Sequence, residues 1–131
     1  MNKYVYPAVF TKENEWYLVN FPDLEACYTQ GEDLEDAISM AEDVLALTLY
    51  DYEQEKKEIP VPSSAEALKI EQGEFVNFVR CDTMEYRKMY NNKAVKKTLS
   101  IPEWLNEEAI ALGVNFSGIL QEALMKKIAR K

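Results

Sequence analysis

Residues 93–128, KAVKKTLSIPEWLNEEAIALGVNFSGILQEALMKKI, set the hardest constraint on this chain. They read as one strand followed by two helices, and nothing nearby in sequence can pair the strand. From Val95 to Ile101, Lys96, Thr98 and Ser100 point one way while Val95, Leu99 and Ile101 point the other. Lys97 interrupts the apolar side. Pro102 ends the strand and suits a first helical turn, with Glu103 favourable at the positive end of the helix dipole. Leu105, Ala109 and Leu112 recur at helical spacing up to Gly113, a natural stop. Asn115 can cap a second helix, whose apolar stripe is Phe116, Leu120, Ala123, Leu124 and Ile128. So small a set buries too little to be stable alone.

A second copy resolves the problem. An antiparallel strand from it satisfies the ladder, and four helices then close over Leu99, Ile101, Leu105 and Leu120 as a dimer core. The other face of the ribbon presents two copies of Lys96, Thr98 and Ser100. A two-stranded ribbon fits the DNA major groove, where such side chains donate to bases and phosphates. Asn115, Phe116 and Ser117 surround a helix N-terminus, whose backbone N–H groups can hold a phosphate. The same pattern would also serve a plain dimerisation module with a polar outer face.

The net charge of −8 looks hostile to DNA until it is divided. Arg87 onward holds nine Lys/Arg against four Asp/Glu, a balance of +5, whereas Met1 to Tyr86 holds six against nineteen, a balance of −13. A basic end suits an anionic polymer, and an acidic front suits a basic partner.

In the front half, Tyr4–Phe10 and Trp16–Phe21 read as strands joined by a polar turn, Lys12-Glu13-Asn14-Glu15. Pro22-Asp23-Leu24-Glu25 is a turn, and Ala26–Thr29 a short third strand. Asp33, with Asp36 three residues on, forms a near relative of the capping box ahead of an amphipathic helix, Leu34 to Leu49. Ser63 and Glu66 offer a second capping box, Glu74–Asp82 a fourth strand, and Thr83–Tyr90 a short helix. Of the aromatics Tyr4, Tyr6, Phe10, Trp16, Tyr17 and Phe21, most belong to the core. One helix cannot cover a whole sheet, so some face outward as a partner surface.

The tail motif resembles the ribbon-helix-helix repressors, and LSIPEWLNE with GVNFSGILQEAL is most similar to the C-terminal domain of HicB-type antitoxins. The stretches YPAVF, WYLVNFPDLEACYTQG, DLEDAISMAEDVLALTL, PSSAEALKIEQGEFVNFV and YRKMYNNKAVKKTLSIPEWL extend that resemblance over nearly the whole chain. It departs at one point: the family's usual proline-glycine before the cysteine is here Glu25-Ala26. The resemblance implies an α+β chain with three parts. Residues 1–82 would be a toxin-binding, curtailed RNase H-like β-β-β-α-β domain. A linker with a short helix would occupy 83–92, and a ribbon-helix-helix domain for DNA binding and dimerisation 93–131. The implied partners are a cognate HicA-type ribonuclease toxin, small and basic, and operator DNA. The implied assembly is a homodimer, or a higher oligomer in the complex. On the front domain the turn FPDLEACY is the natural toxin contact, with Asp23 and Glu25 facing cations and Phe21, Leu24 and Tyr28 as apolar anchors.

An RNase H-like fold raises metal-dependent nuclease chemistry, for which Asp23, Glu25, Asp33 and Asp36 are the nearest carboxylates. Turn and cap roles account for them, and fold analogy supplies no activity. The chain has no histidine, so no Ser-His-Asp or Cys-His catalysis can be assembled within it. Cys27 and Cys81 read as small buried hydrophobes rather than a disulfide or metal pair. With no apolar run of membrane length and no signal-peptide pattern, a cytoplasmic protein is expected. The expectation is therefore a non-enzymatic antitoxin with no cofactor, no metal and no membrane. Its rival is a stand-alone ribbon-helix-helix repressor whose front half senses a ligand or serves assembly.

Overall fold

The computed structural model describes residues 2–129; Met1, Arg130 and Lys131, at the ends of the expected domains 1–82 and 93–131, lie outside the described residues. The chain divides into two compact units, residues 1–93 and 94–131.

The front unit opens with a hairpin, β1 (Lys3–Glu13) and β2 (Trp16–Asn20), turning at Asn14, whose φ of 58° is one that asparagine tolerates. Then come β3 (Tyr28–Gly31), the long α1 (Leu34–Gln54), β4 (Glu74–Asp82) and α2 (Thr83–Tyr90). The sheet order is β3-β2-β1-β4 and every neighbouring pair is antiparallel. Pro7 is accommodated in β1 because β2 has already ended, with Asn20 opposite Val9, so only β4 runs alongside.

Strand alternation decides the core. Tyr6, Ala8 and Phe10 of β1, Val19 of β2 and Val79 of β4 share the face that α1 covers, and all are buried. The helix answers with Ala37, Ala41, Leu45 and Leu49, one stripe at helical spacing, and its small residues let it lie close to the sheet. Gly31 shows how close: a Cβ there would stand 2.3 Å from the Ala37 nitrogen, so no side chain fits. Asp33 caps α1 by accepting from the Asp36 N–H at 2.8 Å, and the Asp36 carboxylate in turn accepts from the Glu32 N–H at 2.9 Å. The cap at Asp33 is the one the sequence predicts, while the return bond of the near-capping box goes to Glu32, one residue before the cap, rather than to Asp33 itself.

Three details differ from the sequence expectations. The third strand starts two residues later, because Glu25 and Ala26 remain in the turn. Ser63 caps nothing; a 3-10 turn at Ala65–Ala67 begins at Ser64 without a side-chain cap, and Ser63 binds Asp23 instead. Residues 83–92, read as a linker with a short helix, carry that helix as expected, α2 over Thr83–Tyr90, but they belong to the front unit. Arg87 donates to Glu53 of α1 at 2.8 Å, and the Tyr86 ring packs at a tilt between Tyr50 and Tyr90.

In the back unit, α3 (Glu103–Leu112) follows Pro102 and ends at Gly113, whose φ of 70° is the left-handed stop that glycine supplies. The second helix, α4 (Phe116–Ala129), is capped by the Asn115 side chain, which accepts from the Gly118 N–H at 3.1 Å. Residues 91–102 form no helix and pair with no strand of the same chain, so the expected strand Val95–Ile101 has no ladder within one copy.

Candidate functional surfaces

The turn FPDLEACY is built from the inside. Phe21, Leu24 and Cys27 are all buried, and two backbone bonds close it: Phe21 N–H to the Cys27 carbonyl at 3.0 Å and Leu24 N–H to the Phe21 carbonyl at 3.1 Å. Ala26 completes the bend at φ 55°, a left-handed conformation that favours glycine. Burial corrects two of the expected toxin anchors, since Phe21 and Leu24 are core side chains that a partner cannot reach while the turn is intact. Asp23 is also engaged. Its carboxylate accepts from the Ser63 N–H at 2.9 Å and the Ser63 hydroxyl at 2.5 Å, fastening the irregular segment between α1 and β4 to the turn. The Tyr6 hydroxyl donates to the Pro60 carbonyl of the same segment. Glu25 and Tyr28 remain at the surface, with Tyr28 67% exposed.

The sheet face opposite α1 is uncovered by any helix of this unit. Val5 and Val9 of β1, Leu18 of β2, Val76 and Phe78 of β4 and Tyr28 of β3 alternate with the core residues and share that outer face. Phe78 is 51% exposed and Val5 50%. Of the six aromatics weighed from sequence, Tyr6, Phe10 and Phe21 are buried, Tyr4 and Tyr17 pack partly against the core, and Trp16 is exposed. Sequence reading missed Val5, Leu18 and Phe78. The signal was present: four strands share one long helix, so one face must lack a cover.

At the other end of α1, the Glu53 carboxylate gathers three donors. The Tyr4 hydroxyl lies 2.6 Å and the Thr83 hydroxyl 2.9 Å from one oxygen, and Arg87 lies 2.8 Å from the other. Burial, reinforced by the bond to Glu53, raises the Tyr4 hydroxyl above its usual pKa. Nearby, burial and then the charges of Asp82 and Glu53 push the Cys81 thiol up to about 12. Cys27 is raised by burial and partly lowered by the Thr48 hydroxyl bonded to it. Both thiols are free and neither is a ready nucleophile.

No described residue of the back unit is buried, although Leu99, Ile101, Leu105, Trp104, Ile110, Leu112 and Phe116 are large and apolar. Leu99 is 61% exposed and Ile101 45%, while Leu120 is half-buried. Lys96, Thr98, Ser100 and Ser117 are exposed; Asn115 has its carbonyl oxygen committed to capping α4, and Phe116 begins that helix.

Among the described residues no three His, Cys, Asp or Glu side chains gather as a metal site. Asp23, Asp33 and Asp36 each accept the structural bonds already described. Among the described residues no helix is long and apolar enough to cross a membrane.

A family profile described as the HicB_like antitoxin of bacterial toxin-antitoxin systems matches residues 3–71, more than half of the chain. Antitoxin HicB 2 of Photorhabdus laumondii is 36% identical over 59 residues, a match covering 45% of this chain and 42% of that protein. The match thus spans less than half the length of that relative. Among solved structures, a toxin-antitoxin complex from Streptococcus pneumoniae contains a chain with a TM-score of 0.63 and 30% identity, covering 95% of this chain and 99% of that one. The crystal structure of an antitoxin HicB3 gives a TM-score of 0.50 at 28% identity, over 95% and 98% of the two chains. These structures share the mixed α+β organisation described above.

Proposed function

The chain belongs to the HicB-like antitoxins of bacterial toxin-antitoxin systems, and from that premise we propose a two-part adaptor: its front unit inhibits a cognate HicA-type ribonuclease toxin and its back unit binds the operator of its own operon. One observation carries the division. The front unit has a complete core, whereas the back unit buries none of its described residues and leaves Val95–Ile101 without a strand partner. A module in that condition needs a second copy of itself. In the homodimer, two Val95–Ile101 segments pair as a ribbon, Leu99, Ile101, Leu105 and Leu120 close the core, and Lys96, Thr98 and Ser100 read the major groove. Asn115, Phe116 and Ser117 bring the start of α4 to a phosphate.

The front unit acts by surface and charge. We take its β-β-β-α-β order as a curtailed RNase H-like scaffold without catalytic use. Nineteen of the chain's 23 acidic residues precede Arg87. A toxin that holds RNA needs a positive surface, and an acidic domain placed over it competes with RNA by charge and bulk. With Phe21 and Leu24 withdrawn into the core, the turn contributes Glu25 and Tyr28 to this contact.

Residues 1–93 retain the whole front unit, so that fragment should bind the toxin and suppress its RNA cleavage while failing to retard operator DNA. Some affinity is lost with the avidity of the dimer. A folded fragment that leaves cleavage untouched, at concentrations where the full chain inhibits, would refute the division of labour.

A further inference from the structure

The two edges of the sheet are treated very differently. On one side β3 has only four residues, and it ends in Gly31 beneath the first turn of α1. Such a short edge offers little to pair with. On the other side β4 runs nine residues, EFVNFVRCD, with no proline and no lysine along it. It is hydrogen-bonded to β1 on one side only, and on the other it presents a row of backbone N–H and carbonyl groups. Phe75 and Phe78, on opposite faces of the strand, are 38% and 51% exposed. Edges this long and apolar are templates for another strand.

We propose that the occupant is β4 of a second copy, paired antiparallel about a two-fold axis at Asn77, so that two front units form one continuous eight-stranded sheet. The side chains choose both the partner and the register. With Asn77 opposite Asn77 of the second copy, Glu74 faces Arg80, Val76 faces Phe78 and Phe75 faces Val79, each pair occurring twice. The outer face then carries two ion pairs flanking apolar pairs, and the inner face joins Phe75 to Val79. Sliding by one step of side-chain alternation sets Glu74 against Asp82 in one direction, and against Phe78 in the other. Among registers near the strand's middle, only the one at Asn77 brings opposite charges face to face. Glu74 is held on the outer face by the Thr11 hydroxyl at 3.1 Å and the Glu71 N–H at 2.8 Å, and its oxygens retain lone pairs for an arginine. This contact is separate from the tail dimer and independent of toxin binding.

The test uses residues 1–93, which carry their own core and exclude the tail. Sedimentation across a concentration series should give twice the monomer mass for the native fragment. Arg80→Glu, at an exposed position, should give the monomer, because it sets Glu74 against a second carboxylate. Glu74→Arg combined with Arg80→Glu restores the opposite charges and should restore the doubled mass. Circular dichroism confirms that each variant is folded. A native fragment that stays monomeric, or a charge-swapped double variant that fails to recover the mass of the native one, overturns the proposal. Should the native fragment stay monomeric while Arg80→Glu abolishes capture of the toxin, the edge belongs to a toxin strand instead.

Discussion

Ala26→Gly should make the front unit more stable. Alanine at this position holds a φ of 55°. In that conformation the Cβ of an L-residue crowds its own carbonyl, at a cost of roughly 1–2 kcal/mol. Glycine removes the clash but gives back about 0.5–1 kcal/mol through the extra freedom of the unfolded chain. The net gain is therefore about 0.5–1 kcal/mol. Nothing else need change, because the bend is fixed by its neighbours: Phe21, Leu24 and Cys27 are buried and two backbone bonds close the loop. For a domain of this size each kcal/mol moves Tm by roughly 4–8 °C, so the melting point should rise by about 2–8 °C. Thermal and urea unfolding of the native chain, Ala26→Gly and Ala26→Val decide the matter. The β-branched valine should fall below the native protein by more than glycine rises above it. A glycine variant that melts at or below the native temperature would mean that the turn is not left-handed at Ala26 in solution.

Asp23→Ala should lower stability by about 2 kcal/mol, since it removes a charged acceptor from two bonds to Ser63; limited proteolysis should then cut first between α1 and β4. Alkaline pH should destabilise the front unit through Cys81. The fold favours its neutral thiol, so that contribution is whole below about pH 9 and fades as pH rises towards 12. Urea midpoints at about pH 8 and about pH 10.5 should converge more in Cys81→Ala than in the native protein. For the tail, Lys96→Ala with Thr98→Ala should weaken operator binding, and Lys96→Ala alone should reduce the slope of log K against log salt by about 0.9; an unchanged operator affinity in the double variant would place the reading surface elsewhere.

Period was the most legible property of the sequence. Leu34, Ala37, Ala41, Leu45 and Leu49 announced α1 by their helical spacing, whereas β4 showed in composition, a run of aromatic and β-branched residues, Phe75, Val76, Phe78 and Val79, bounded by turn signals. Local chemistry marked the helix ends at Asp33, Gly113 and Asn115. What stayed hidden depended on distant partners. Phe21 and Leu24 belong to a polar turn that reads as a partner contact, yet both side chains are buried in the core cluster. Ser63 fits the spacing of a capping box, but a carboxylate forty positions away outcompetes the local role. The α2 segment could be read as a helix, but its attachment to α1 comes from Arg87 reaching Glu53 and from tilted tyrosine pairs, which periodicity does not register. As for the candidate surfaces, the polar side of Val95–Ile101 can be read directly, whereas the outer sheet face could be inferred only as a shortage of helix.

The pairing of β1 with β4 also governs when this protein can begin to work during its synthesis. Lys3 pairs with Asp82, and Thr11 with Glu74, so the first strand made waits for the last. Thr83 then bonds the Asn2 carbonyl, and Arg87 bonds Glu53, closing the unit across almost its entire length. Contacts so distant in sequence make folding slow, because a long loop must close before its ends reward it. On the ribosome, β1 and β2 emerge early and form a hairpin with one bare side. That side stays open until residues beyond 82 have left the exit tunnel, by which time much of the back unit is already being translated. A nascent front unit is thus exposed to proteases and to mispairing for most of its own production. The sheet order builds an unavoidable delay between starting a chain and having a closed antitoxin domain.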